Sequence, residues 1–551
     1  MLEVTGDDVK NVCNTDQLCS GIKSGMEGAI HAIRQLYQEK CDDGFGLLLM
    51  DASNAFQTIS RAAALWNARV LWSRCARFLF NSYRGYALLI IKGTSATLLS
   101  KEGGTQGVPL SMKLYAIGLL PLVQKLRDSS DYVKQELSER ASEYMLELDT
   151  SKDICESPHW IQNWYADDSS NISYLRFIFI WLKLLLKEGP KFGYIAETDK
   201  SYLVVAPKFV EEAKKMFSKF QINVVSGQKL LGGFVGGKNE TEDWISSKVS
   251  AWGKSLKILS EVGKKQPQAA YVAVSKSLQN EWCYLQRVFP DCDEYFSPLR
   301  KILWEQFFPA LHGNPLNEEE YQIQEKPVRM AGLGIRDPVA SSKHSFNTSL
   351  KATKLLSDAI LSKISLDIDS YESEILRVAK EMKKLKDESD LEQIQLLIQT
   401  LPKENSKKLN RILENKCSTW LSVTPTNDNH FALSPDEFRD ALSIRYNYSP
   451  RDLPATCDGC GEEFNLCHAL NCKKGGLVTA RHNEIRDLNC DFCTIAGLKQ
   501  IISEPILQES DEHDDMKGFR ADWSERGFWD TQRLALFDTA YFYADAKSFQ
   551  N

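Results

Sequence analysis

One short apolar run and one hairpin-like segment in this chain each lead into aspartate. Phe45 to Met50 reads FGLLLM and is followed by Asp51; the segment Trp160 to Ser169 contains WYADD and so sets Asp167 beside Asp168. A short apolar run bounded by polar residues is the pattern of a buried strand. The second segment reads as a hairpin around YADD. Three carboxylates at the ends of two such strands can act together only if the strands are neighbours in one sheet. Carboxylate oxygens suit hard divalent cations. Two such ions held roughly 4 Å apart can activate an attacking hydroxyl and stabilise a leaving pyrophosphate. An isolated Asp-Asp pair is also a common turn, so the chemistry depends on what surrounds it.

The rest of the chain alternates helical and strand patterns. Residues 16–40 have helical spacing, with Thr15 or Asp16 placed to cap the helix start. Residues 62–81 read as helix and Ala87 to Lys92 as strand. Gly103, Gly104, Gly107 and Pro109 punctuate a loop before a helix from Met112 to about Leu126. Residues 127–160 are polar, a loop or insertion. Tyr174 to Leu186 is the most apolar stretch. Arg176 and Lys183 interrupt it, and it is shorter than the ~20 residues a bilayer span needs, so it reads as a buried helix. Tyr202–Val205 and Ile222–Val225 read as strands, and LLGGFVGG as a hairpin. From about 241 the period is helical, with 268–289 one long amphipathic helix. Residues 350–420, with Leu376, Leu385, Leu391 and Leu396, read as a charged helical linker or arm.

Composition bounds the class. With 551 residues the prior is three or four domains. Hydrophobic residues at 43% and charged residues at 26% are an ordinary globular balance that needs no disulfides. The net charge of -7 weighs against a protein coated in nucleic acid, though a basic channel can hide within an acidic sum. Most of the 14 cysteines stand singly (Cys13, Cys75, Cys155, Cys283), as small buried hydrophobes do in a reducing compartment. The start MLEVTGDDVK carries no secretory signal. The expectation is an intracellular protein, cytoplasmic or nuclear, with no membrane partner.

The order of motifs narrows this further. MDASNAF, GGTQGVPLS, YADD, GYIAETDKSYLVV and LLGGFVGG follow one another over residues 45–237. This series resembles the catalytic motifs of reverse transcriptases, closest to those of retrotransposons lacking long terminal repeats. The resemblance implies a right-hand polymerase palm. It makes Asp51 and Asp167 direct ligands of two Mg²⁺ ions and Asp168 their acidic neighbour. It places Phe56 under the incoming sugar, where an aromatic ring excludes a 2′-hydroxyl and favours dNTPs. Gln106 and Gly107 would border the nascent base pair, and Lys200 would neutralise phosphate charge. Val108 departs from the pattern, standing where many members carry Asp or Cys. Only the end of a fingers segment is recognisable before residue 45.

A second cluster lies downstream. Cys457-x2-Cys460-x7-His468-x3-Cys472 has the ligand types and spacing of a structural Zn²⁺ site. Cys490-x2-Cys493 is a second pair, and Cys467 and His482 are nearby, so a four-cysteine site from 457, 460, 490 and 493 is an alternative; helix-buried thiols are the preferred reading of 490 and 493. A like Cys–His order follows the polymerase in such retroelements and helps bind nucleic acid. In the tail, Glu504, Asp522 (following the basic Arg520) and Asp538 resemble the acids of a restriction-like endonuclease, which in several retroelements nicks target DNA. Ala540 departs from that motif where lysine is expected, with Lys547 a substitute, and the sequence stops in what reads as mid-domain.

The expected fold class is α+β. Residual fingers occupy 1–44, a palm with an antiparallel sheet 45–240, a helical thumb 241–345, a helical linker 346–440, a zinc module 450–490 and a partial α/β nuclease-like domain 491–551. The expected function is RNA-directed DNA polymerase, with RNA template, DNA primer or target DNA, and dNTPs as partners. The alternatives are a truncated, inactive retroelement remnant that only binds nucleic acid, and an RNA-templated RNA polymerase, against which Phe56 and YADD argue.

Overall fold

Strand β1 (Phe45–Ala52) lies in the middle of the largest sheet, whose order is β4-β5-β1-β6-β7. The other strands are β4 (Ile161–Tyr165), β5 (Asp168–Tyr174), β6 (Ala196–Val204) and β7 (Asn223–Val225), and β1 pairs with β5 and β6. All neighbours run antiparallel except β6 and β7, which are parallel. The computed structural model describes residues 1–105, 107–129, 160–415, 418–428, 431–450, 452–474, 476–508 and 519–540. Among these the class is mixed α+β.

The apolar run of β1 is explained by what covers it. Leu48 and Met50 enter one core with helices α4 (Arg61–Leu71), α5 (Ser73–Tyr83), α6 (Ser111–Arg127) and α7 (Leu175–Glu188). The most apolar sequence stretch is α7, and its Ile178, Ile180, Trp181, Leu182 and Leu185 are fully buried there. Gly46 leaves room for this packing, since a Cβ would lie 3.0 Å from Leu175 and 3.2 Å from Val205. No helix among the described residues is long and apolar enough to cross a membrane. Helix α2 (Gly25–Lys40) packs against α9 (Ala340–Ser362) so closely that a Cβ on Gly28 would meet Leu356 at 2.6 Å.

Several local expectations are corrected. The helix expected over 16–40 begins at Gly25, and neither Thr15 nor Asp16 caps it. Asp16 is instead held by the guanidinium of Arg127, at 2.6 and 2.7 Å. The helix expected over 62–81 divides at Trp72, whose indole is fully buried and donates to the Thr5 carbonyl at 2.9 Å. The run at 268–289 carries a π-helical turn over Ala273–Leu278. Within the region read as a linker or arm, α9 packs on α2, and Tyr371 of α10 (Ile368–Thr400) is fully buried with its hydroxyl on the Lys23 carbonyl. Most of the polar segment 127–160 lies outside the described residues.

The chain divides into two compact units, residues 1–400 with 415–424, and 401–414 with 425–551. The divisions expected at 240 and 345 fall inside the first. The first also holds two small hairpins, β2 (Ala87–Ile90) with β3 (Thr97–Ser100), and β8 (Gly227–Leu230) with β9 (Gly233–Gly236), and the long helix α8 (Lys238–Lys265). In the second unit, helices α11 (Leu466–Asn471) and α12 (Leu477–Ile495) precede a three-stranded antiparallel sheet. Its order is β10 (Lys499–Ser503), β13 (Trp523–Arg526), β14 (Leu534–Phe537), with β11 (Ile506–Gln508) and β12 (Phe519–Arg520) paired separately.

Candidate functional site

The register of the sheet brings the three aspartates to one end of it. Met50 faces Ser169 across β1 and β5, so Asp51 and Asp168 are the next residues along the two strands. Tyr165 faces Asp168 across the hairpin, leaving Ala166 and Asp167 as a two-residue turn. Ala166 has φ 55°, a left-handed conformation that costs a non-glycine residue roughly 1–2 kcal/mol. Fully buried Gln17 holds the turn there: it accepts from the Ala166 amide at 2.8 Å and donates to the Ala166 carbonyl at 3.1 Å. The buried Tyr194 hydroxyl adds a donor to the Asp167 carbonyl at 3.0 Å and lies 3.0 Å from the Ser169 hydroxyl.

Gln17→Ala leaves two buried backbone groups without partners. It is expected to lower unfolding free energy by about 3 kcal/mol, read from the urea midpoint. A change below about 0.5 kcal/mol would show that the turn stands without the clamp.

The electrostatics follow from the crowding. Burial at this end of the sheet, and then the charges of Asp167 and Asp51, push the Asp168 carboxyl up to about 6. Asp168 keeps an exposed edge, so the two neighbouring acids are the share of this shift that the geometry supports best. On the other side of Asp51, the pairing of β1 with β6 skips from Leu49–Tyr202 to Asp51–Glu197, a bulge holding Thr198, Asp199 and Lys200. Bulges of this kind re-aim side chains beside functional sites. Ser201 closes this one, accepting from the Asp51 amide at 3.1 Å and donating to the Glu197 carbonyl at 2.7 Å. Lys200 is exposed and ion-paired with Glu197.

Phe56 sits on the short helix α3 (Ala55–Thr58), and its ring stacks on Tyr115 with centroids 4.5 Å apart. The Tyr115 hydroxyl is buried with no hydrogen-bond partner among the described residues, and its ionisation is opposed by burial and by Tyr194, Asp167 and Asp168. Tyr115 was not singled out in the sequence; only its place one helical turn after Ser111 could have pointed to it. The loop beside Phe56 needs its glycine at 103, where φ is +77° and a Cβ would lie 2.4 Å from the Gln57 carbonyl oxygen. Gly104 donates to the Phe56 carbonyl at 2.6 Å. Gly107 is exposed with φ +87°, and Gln106 lies outside the described residues.

The cysteine cluster is more tightly assembled. The ligand atoms of Cys457, Cys460, His468 and Cys472 all lie within 4.8 Å of one another. Asp51, Asp167 and Asp168 form no such group. A tetrahedral ion with sulfur at about 2.3 Å has an S–S edge of roughly 3.8 Å. The observed Cys457–Cys472 and Cys460–Cys472 separations are 3.8 and 3.9 Å, and His468 Nε2 lies 3.1 Å from the Cys460 sulfur. The set could hold a zinc-like ion.

Local structure explains how. Cys457 accepts from the Gly461 amide at 2.7 Å, closing the knuckle, and the Asn465 side chain caps α11 by accepting from the His468 amide at 2.9 Å. Glu462 approaches His468 Nδ1 at 3.5 Å, which orients Nε2 toward the sulfurs. The His468 hydrogen bond, then the amides of Cys460 and Gly459, bring the Cys457 thiol down to about 6, so it is ready as a thiolate. Cys490 and Cys493 lie on α12 outside this group. Burial, and then Glu525, push the Cys493 thiol up to about 11, as befits an unligated thiol.

The three tail acids meet at one end of their sheet. Ser503, Trp523 and Phe537 are in register, so Glu504, Asp522 and Asp538 follow or precede them side by side. Two are already engaged. Glu504 pairs with Arg486, and Asp522 holds His482 Nε2 at 3.1 Å and the Thr539 amide at 2.5 Å. His482 therefore serves Asp522 and is no zinc ligand. Asp538 is exposed, and Lys547 lies outside the described residues.

No protein-family model matches the chain, and no curated protein matches it either.

Proposed function

We propose that this chain is an RNA-directed DNA polymerase of the kind found in retrotransposons without long terminal repeats, and that its β4-β5-β1-β6 sheet is the palm. The observation that carries the reading is the convergence of Asp51, at the end of the central strand, with the Asp167-Asp168 hairpin turn on the neighbouring strand. Asp51 and Asp167 would ligate two Mg²⁺ ions, with Asp168 adding charge beside them. The all-oxygen donor set and the mutual repulsion that lifts Asp168 fit such ions. When bound, divalent metals would favour ionisation of the primer 3′-hydroxyl and neutralise the pyrophosphate.

The protein's own residues do the rest. Gln17 and Tyr194 fix the hairpin turn, so the carboxylates need little reorganisation when substrate arrives. Phe56, braced on Tyr115, gives a rigid aromatic wall for the sugar and favours dNTPs. Lys200 exchanges Glu197 for substrate phosphate. Phe56→Val is expected to raise the rNTP:dNTP incorporation ratio at least tenfold, measured in single-nucleotide extension; an unchanged ratio would remove Phe56 from the sugar site.

Primer extension on an RNA template tests the reading. The expected result is Mg²⁺-dependent dNTP incorporation. Preference for rNTPs would favour an RNA polymerase. Binding of primer–template without any incorporation would leave the inactive remnant. The zinc module would engage target DNA or element RNA. The register of Glu504, Asp522 and Asp538 favours a nuclease ancestry for the tail; supercoiled DNA nicked equally by wild type and Asp538→Asn would remove it.

A further inference from the structure

Helices α4 and α5 turn one face inward and leave another unexplained. Helix α4 buries Arg61, Ala64 and Ala68, and α5 buries Cys75, Leu79 and Tyr83. Their outer faces, with the base of the β2–β3 hairpin, line an open groove of about 460 Å³. Three aromatic rings stand in it with more than half their surface exposed: Trp66 at 63%, Phe80 at 52% and Tyr86 at 66%. Each ring carries a cation. Arg69 lies 5.8 Å from the Trp66 centroid, Arg84 5.9 Å from Phe80, and Lys101 5.6 Å from Tyr86.

None of these three cations is paired with a carboxylate among the described residues. The one acid lining the groove, Glu102, accepts from the Arg61 backbone amide at 2.9 Å. A chain with a net charge of -7 thus concentrates unpaired positive charge here. The groove is also held in shape. The buried Arg61 guanidinium donates to the carbonyls of Gly85, Ser100 and Gly103, at 3.1 to 3.2 Å, which ties the hairpin base to the start of α4.

We infer that this groove binds a single-stranded segment of nucleic acid, its bases stacked on Trp66, Phe80 and Tyr86 and its phosphates tracked by Arg69, Arg84 and Lys101. Rings offer faces to any base, and interleaved cations follow the backbone without reading sequence. A duplex keeps its base faces stacked internally and cannot use the rings, so single strands are preferred. The site lies outside the aspartate cluster and does not depend on the polymerase reading.

The test is fluorescence anisotropy of the full chain with labelled U12 RNA, dT12 and a hairpin duplex of equal charge. Wild type is expected to bind both single strands more tightly than the duplex. Trp66→Ala with Tyr86→Ala should weaken single-strand binding about tenfold or more. Arg69→Gln with Lys101→Gln should reduce the steepness of the salt dependence by about 1.4 in log–log slope. All four residues are exposed, and unchanged circular dichroism melting will separate binding from folding. Binding is read without Mg²⁺ or dNTPs, so failure of the polymerase reading leaves this result intact. Single-strand affinity unaltered by both double variants overturns the inference. So does self-association that the ring variant abolishes without altering RNA binding, which would make the groove a protein interface.

Discussion

Cys457→Ser is expected to abolish metal binding by the Cys457, Cys460, His468 and Cys472 group and unfold the knuckle around it. Structural zinc sites in small modules bind with roughly 10–16 kcal/mol of apparent free energy at neutral pH, and that energy is folding energy. The segment between Thr456 and Cys472 has little else to hold it: one isolated bridge, a six-residue helix and the four ligands. Elemental analysis of the wild type purified under reducing conditions should give one zinc per chain, and the variant none. Amide exchange over 456–472 should rise to the rate of an unfolded peptide in the variant and in chelator-treated wild type. One zinc per chain retained by Cys457→Ser would show that the ion is held elsewhere, with Cys490 and Cys493 the first place to look.

Asp167→Asn is expected to lower Mg²⁺-dependent DNA synthesis by at least about a thousandfold, or about 4 kcal/mol of barrier. Thermal stability should hold or rise. Asp167 sits among like charges, and its side chain makes no hydrogen bond that the hairpin turn needs; the turn is held by backbone contacts to Gln17 and Tyr194. Loss of synthesis with an equal or higher melting temperature is the signature of a residue kept for function at the expense of stability. Loss of synthesis with a large fall in melting temperature would instead make Asp167 a structural residue.

What could be read from the sequence was local. FGLLLM and WYADD identified their strands because burial on a strand imprints itself on consecutive residues. The Cys457, Cys460, His468 and Cys472 group was legible for the same reason: the three gaps between its members hold two, seven and three residues, and one knuckle and one helix suffice to gather them. What depends on distant residues was not legible. The clamp on Ala166 comes from Gln17, 149 residues away, and Asp16 reads, with Thr15, as a candidate helix cap because nothing local announces Arg127, 111 residues away. The bulge that carries Lys200 beside Asp51 depends on how β6 registers against β1, and the break at Trp72 on the Thr5 carbonyl. Nothing near His482 in the sequence announces Asp522, 40 residues away, which holds its ring.

On the proposed function, Asp51 and Asp167 form a divalent-metal site. Electron paramagnetic resonance of Mn²⁺, titrated into zinc-loaded full chain with primer–template and a non-hydrolysable dNTP, tests it directly. Two bound Mn²⁺ ions per wild-type chain, lost in Asp51→Asn with Asp167→Asn while zinc stays in place, is the result expected. Equal Mn²⁺ binding by the wild type and the double variant would show that these two aspartates hold no divalent metal.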